Sequence, residues 1–159
     1  MNKIRIQSIA LLGAFALGGC ANPAKMWTAD TPEALLASDV RSAAFCAPGD
    51  LAQVKDRVYR YLERCHRTRT LQGMTASPAG GYIFTTQQQN WEVQRRAQAG
   101  GGEQYFVRFD HGYVLGAAVA PTPQCSASVV SYAKVSGWAR RFDLVNAAAR
   151  GETPECLSH

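Results

Sequence analysis

Apolar residues recur every three to four positions between Leu51 and Cys65. At the helical step of about 100° per residue, Leu51, Val54, Val58, Tyr61, Leu62 and Cys65 share one stripe. The stripe predicts an amphipathic helix. Asp50 stands just before it, where a carboxylate accepts the unpaired amide hydrogens of the first turn. Arg57, Arg60, Arg64 and Arg67 gather on the opposite face, with Asp56–Arg60 and Glu63–Arg67 spaced as favourable i,i+4 pairs.

After this helix the period changes. Residues 66–80 predict a connection, with Thr68–Leu71 as a short extended piece. Tyr82–Thr86 and Trp91–Ala97 then alternate as strands do, and Gln87–Asn90 between them predicts a hairpin. Gly100–Gly102 marks the next turn. Gln104–Asp110 and Tyr113–Ala120 form a further strand pair across His111-Gly112, whose glycine suits a tight turn. Pro121 and Pro123 end that strand, and Ser126–Val135 reads as a fifth. Trp138, Phe142, Val145 and Ala149 then share one face of a closing helix, Trp138–Arg150, stopped by Gly151. The order predicts an α+β fold: an antiparallel β-meander of about five strands packed against two amphipathic helices as a two-layer sandwich.

The first 48 residues do not fit this pattern. Lys3 and Arg5 precede an apolar run, Ile6–Leu17, interrupted only by Gln7, Ser8 and Gly13. Twelve positions are too few to cross a bilayer, which takes about 20 residues. They match the apolar core of a secretory signal. The run ends in Leu17-Gly18-Gly19-Cys20. This sequence resembles the lipobox of bacterial lipoproteins, a leucine three residues before a cysteine with small residues between. The resemblance implies cleavage after residue 19, a diacylglyceryl thioether on Cys20 and acylation of the new amino terminus. Ala21 follows the cysteine. In enterobacterial lipoproteins an aspartate there signals inner-membrane retention, so the resemblance implies the outer membrane. The expected organisation is a signal peptide over 1–19, a lipidated flexible tether over 20–48 and a periplasmic domain over 49–159. Thr31 can cap a short helix opened by Pro32 within the tether. Met26, Trp27, Leu35 and Leu36 either pack back on the domain or lie near the bilayer.

Cleavage changes the electrostatics. Without Lys3 and Arg5 the 17 Lys+Arg become 15 against 12 Asp+Glu, a net charge of +3 in place of +5. That falls short of a nucleic-acid footprint, and no nucleic-acid partner is expected. Cleavage also leaves 140 of the 159 residues, enough for one domain with its own core.

With Cys20 assigned to lipid, Cys46, Cys65, Cys125 and Cys156 remain, an even set in an exported chain. Two disulfides are expected. A helix from Leu51 to Cys65 is about 22 Å long, and bonded cysteines need Cα atoms about 4.4–6.8 Å apart. This disfavours Cys46–Cys65 and its complement Cys125–Cys156. Both crossed pairings remain open.

Chemistry-bearing groups are sparse. Cys65-His66 invites a thiol–imidazole reading, but adjacent helical side chains diverge, and Cys65 lies on the apolar stripe. His111 sits in a turn and His159 in the tail. Gly100–Gly102 lacks the Lys-Ser/Thr of a phosphate loop. No catalytic residue, cofactor or metal site is expected. The face formed by Arg57, Arg60, Arg64 and Arg67 is a candidate for an anionic partner, weighed against a plain solvated helix face, which is favoured. Tyr82, Phe84, Trp91, Tyr105, Phe106, Phe109 and Tyr113 crowd the first four strands. They imply either a sheet covered on both faces or an aromatic surface left for a partner. The expected role is a non-enzymatic binding or assembly module, lipid-anchored through Cys20 to the outer membrane and facing the periplasm, with an envelope protein as partner. The alternative is an inhibitor of a periplasmic enzyme such as a cell-wall lytic hydrolase.

Overall fold

Asp50 caps the first long helix: its Oδ1 accepts the Gln53 amide at 2.8 Å. The structure is a computed structural model that describes residues 24–157. The proposed signal peptide, Cys20, Ala21 and His159 lie outside the described residues. Two short helices come first, α1 (Ala24–Trp27) and α2 (Pro32–Leu36), then the two-residue strand β1 (Phe45–Cys46) and the capped helix α3 (Leu51–Cys65). Strands β2 (Arg69–Ala76), β3 (Tyr82–Gln89), β4 (Trp91–Ala97), β5 (Glu103–Phe109), β6 (Gly112–Thr122) and β7 (Cys125–Ala133) follow. Helices α4 (Ser136–Ala139) and α5 (Phe142–Arg150) close the fold.

The fold is α+β, with a five-stranded antiparallel sheet in the order β1-β7-β6-β5-β4. Its membership differs from the predicted meander. Tyr82–Thr86 does not pair with Trp91–Ala97. Instead β3 pairs with β2, from Arg69↔Gln89 to Ala76↔Tyr82, as a separate two-stranded sheet. The predicted loop over 66–80 therefore holds a full strand. Its alternation was hidden because neither face of this hairpin is buried, so no apolar period marks it. The fifth strand of the main sheet comes from the supposed tether: β1 pairs with β7 through Phe45↔Val129 and Cys46↔Ser128.

The core lies between the sheet and α3 with α5. Val54, Val58 and Leu62 of α3 meet Tyr105, Val107, Leu115, Val119 and Val129 of the sheet and Val145 of α5, all fully buried. A register shift between Val107 and Arg108 places an extra residue in β6, so that Val114 and Leu115 are both buried.

The opposite sheet face is covered as well, by residues predicted to be flexible. Ala29 exchanges backbone hydrogen bonds with Tyr113 at 2.7 and 2.8 Å. Leu35, capped into α2 by Thr31, packs with Ala29 on Phe106. Residues 38–47 then run along β7, where Ala133 donates to the Val40 carbonyl, Ser42 to Ser131 and Ala47 to Ala127. The flexible-tether reading of 20–48 thus gives way to a folded strap from Ala29 onward. Two glycines allow this close approach. A Cβ on Gly116 would meet Leu35 Cδ2 at 3.1 Å, and a Cβ on Gly112 would clash with the Thr28 side chain. Gly112 is therefore needed for the strap rather than for the turn; the positive φ there, 48°, belongs to Asp110.

The closing helix is broken at Arg140–Arg141 instead of running from Trp138 to Arg150. The break turns Trp138 toward Trp91, while Phe142 and Val145 enter the core. Two disulfides clamp the assembly. Cys46–Cys125 ties β1 to the start of β7, and Cys65–Cys156 ties the end of α3 to the tail, with Cα separations of 5.6 and 5.2 Å. Of the two crossed pairings, the structure selects this one because α5 brings the tail back along α3 to its C-terminal end.

Candidate functional site

The arginine face of α3 is largely committed to structure. Arg57 Nη1 donates to the carbonyls of Pro48 (3.1 Å) and Ala149 (3.3 Å), and Arg64 Nη2 donates to that of Pro154 at 2.6 Å. Arg60 pairs with Asp56 at 2.9 Å. Arg67 reaches the Glu63 backbone carbonyl at 3.4 Å, while the Glu63 carboxylate accepts the Tyr59 hydroxyl at 2.9 Å. Helix ends leave carbonyls without intrahelical partners. Arg57 satisfies one at the end of α5 and Arg64 one in the tail, beside the Cys65–Cys156 bond. A groove of about 480 Å³ remains between α3 and Gly151–Thr153. The four predicted residues are brought together along this groove, and of them Arg64 latches the tail while Arg57 holds the end of α5.

A second polar cluster lies under the other end of α3. Glu103 accepts from Arg95 Nε at 2.8 Å and from the Tyr105 hydroxyl at 2.9 Å, with Lys55 Nζ at 3.9 Å. The Arg95 guanidinium holds the Glu103 carboxyl below its ordinary value; burial opposes this and the Tyr105 hydroxyl adds to it. Burial, reinforced by the Glu103 carboxylate, pushes the Tyr105 hydroxyl far upward. Because the folded carboxyl is the more acidic, its stabilisation is complete above the unfolded-state value near 4.5. It is lost as pH falls through the lower folded value. Glu103→Gln should cost about 2 kcal/mol at pH 7, the scale of hydrogen bonds to a charged group. The variant should also lose less further stability than the parent between pH 5 and pH 3. Urea midpoints at the three pH values check this, and parallel losses in both proteins would refute it.

A further concave feature is an aromatic recess of about 400 Å³, lined by Trp27, Trp91, Phe109, Trp138 and Arg141, with Gln89 at its edge. Trp91 opens β4 and Phe109 ends β5; they face each other in register, with ring centroids 4.4 Å apart. Trp138 of α4 lies 5.8 Å from Trp91. The Arg141 guanidinium stands 4.1 Å over the Trp138 ring, and burial lowers its pKa. Trp27 is 57% exposed and closes one side. Sequence reasoning placed these residues on separate elements and did not join them. The signal was available: the predicted meander already pairs Trp91–Ala97 with the strand after Gly100–Gly102, and that register sets Trp91 against Phe109.

His66 backs the recess. It is buried, with Nδ1 3.0 Å from the Leu62 carbonyl and its ring 5.4 Å from Trp91. The neighbouring Cys65 thiol is consumed in its disulfide, so the two do not form a nucleophile–base pair. His111 lies in an exposed turn. Among the described residues no group of three His, Cys, Asp or Glu is placed to hold a metal ion, and no helix is long and apolar enough to cross a membrane.

The aromatic crowding of the strands separates into three populations. Tyr105 and Phe106 are core residues on opposite sheet faces, with Tyr113 edge-on to Phe106; Trp91 and Phe109 line the recess, and Tyr82 and Phe84 stand on the exposed β2–β3 hairpin. No protein-family model matches the chain, and no curated protein or solved structure is significantly similar to it.

Proposed function

We propose that the chain is a bacterial envelope lipoprotein, anchored through Cys20 to the outer membrane and facing the periplasm. Its domain acts as a non-enzymatic binding or assembly module. The observation that supports a binding role is the aromatic recess. Tryptophan and arginine around a concave apolar surface are the residue types on which protein interfaces concentrate their affinity. An apolar side chain of the partner can lie in the recess against Trp27 and Trp138, beside the Arg141 guanidinium. The folded strap supports the anchoring role. With residues from Ala29 onward packed on the sheet, only 21–28 separate a lipid on Cys20 from the fixed domain.

Two measurements test the proposal. Radiolabelled palmitate should enter the wild-type chain and not Cys20→Ala; labelling of neither would sink the anchor. Crosslinking in intact envelopes should recover a membrane protein, and Trp27→Ala should weaken recovery by about tenfold or more, the effect of losing an interface anchor. Trp27 is exposed, so this change leaves the core intact. Undiminished recovery would remove the recess from the interface. A soluble hydrolase in its place would favour the inhibitor reading.

A further inference from the structure

The β2–β3 hairpin leaves the domain beside the recess and touches little else. Its base is fixed by Thr68, whose hydroxyl donates to the Trp91 carbonyl at 3.1 Å and accepts the Trp91 amide at 3.2 Å. Beyond that clamp the two strands expose both faces. Cross-strand partners share a face, so Met74 and Phe84 lie together with Ala76 and Tyr82 on one side. Leu71 and Ile83 lie on the other. Phe84 is 81% exposed, Tyr82 73% and Met74 61%. The tip turns through Gly80 and Gly81, both at φ 86°, where glycine alone is unstrained.

Charge is distributed as unevenly as apolar area. No Asp or Glu occurs between Glu63 and Glu92, whereas Arg64, Arg67 and Arg69 stand at the root of the hairpin. The distal half carries no charge at all.

We infer that the hairpin tip is a second membrane contact, entering the headgroup region of the lipid surface to which Cys20 tethers the chain. Three observations favour a lipid surface over a protein partner. Apolar side chains project from both faces of the tip, and a docking protein or second copy laid on one face would leave the other wet. Immersion covers both. The absence of carboxylates from the whole hairpin leaves no charge that would resist entry of its tip into a lipid surface. The lengths bear on it as well: eight strand residues extend about 26 Å, whereas the chain from Cys20 to Trp27, with α1 helical, spans at most about 19 Å. A tip that outreaches the tether by several ångströms meets the surface on which Cys20 is held. Insertion is shallow, because the outer edges of a two-stranded hairpin carry unpaired amides and carbonyls that need water or headgroups. Tyr82 suits that depth. The domain then stands on two supports, with the recess held clear of the lipid.

The inference rests on the proposed anchor for the position of the bilayer, and its test separates the two. Full-length protein recovered from envelopes is placed in phosphatidylethanolamine–phosphatidylglycerol vesicles containing lipid brominated near the top of the acyl chains. Phe84→Trp adds an indole at the tip and Gln88→Trp one near the base, each read against the wild-type tryptophans. The indole at position 84 should lose at least half its emission and that at position 88 almost none. Adding Met74→Asp to the Phe84→Trp variant should restore the emission, since a carboxylate resists entry into lipid. Equal quenching at both positions, or none at position 84, overturns the hairpin contact. So does crosslinking of two chains through the hairpin without quenching. Palmitate labelling reports the anchor independently. Label present without quenching sinks the hairpin contact alone; quenching without label supports it and sinks the anchor.

Discussion

Replacing Cys65 and Cys156 together by serine is expected to lower the unfolding free energy by about 3 kcal/mol. The bond joins residues 91 apart. The loop entropy it removes from the unfolded chain sets a ceiling of about 4.6 kcal/mol. The retained Cys46–Cys125 bond, with a separation of 79, overlaps this loop and already restricts the same chain, which brings the expectation below that ceiling. The bond also holds the tail where Arg64 donates to Pro154 and where Arg57 reaches the end of α5. Urea unfolding in non-reducing buffer should show a lower midpoint, and protease should cut first between Gly151 and Leu157. A loss under about 1 kcal/mol would mean that the arginine latch holds the tail without the disulfide.

Leu35→Ala is expected to cost about 3 kcal/mol, within the range for truncating a fully buried leucine. Leu35 has no exposed surface, and Gly116, beneath it, supplies no side chain to fill a void. Phe106 would lose its cover. The damage should be local at first, because the α3–α5 side of the sheet has its own core. Hydrogen exchange should therefore quicken at Ala29, Val40 and Ser42 before it changes in α3. Gly112→Ala should release the same strap by another route, since its Cβ would occupy the space of the Thr28 side chain. Uniform loss of protection across the molecule would show that strap and core unfold as one unit. On the proposed anchor the distinction matters, because a released strap would lengthen the tether between Cys20 and the domain.

The two helices and most of the sheet were legible because their side chains repeat with the period of the surface they cover. The α3 stripe, the β5–β6 pair and the disulfide arithmetic all follow from local spacing. The recess was not legible, since Trp27, Trp91, Phe109 and Trp138 come from four elements and meet only through the β4–β5 register and the break between α4 and α5. The arginines of α3 were visible as a face, but the latch was not, because the carbonyls that Arg57 and Arg64 reach in α5 and the tail lie at the far end of the chain.

By itself the sequence determined the α+β class, the α3 helix, the exclusion of Cys46–Cys65 and the resemblance at Leu17–Cys20 that suggests an address. Each is a local matter of periodicity, capping, reach or motif. Tertiary structure decided which strands pair and what covers the second sheet face. Strand pairing depends on partners distant in sequence, and the β2–β3 hairpin has no buried face to declare its register. The strap likewise folds through small contacts, among them Ala29 on Tyr113, Leu35 over Gly116, and Thr28 against Gly112. None carries a periodic signal, because a glycine that admits a neighbour is silent in the sequence until that neighbour is in place.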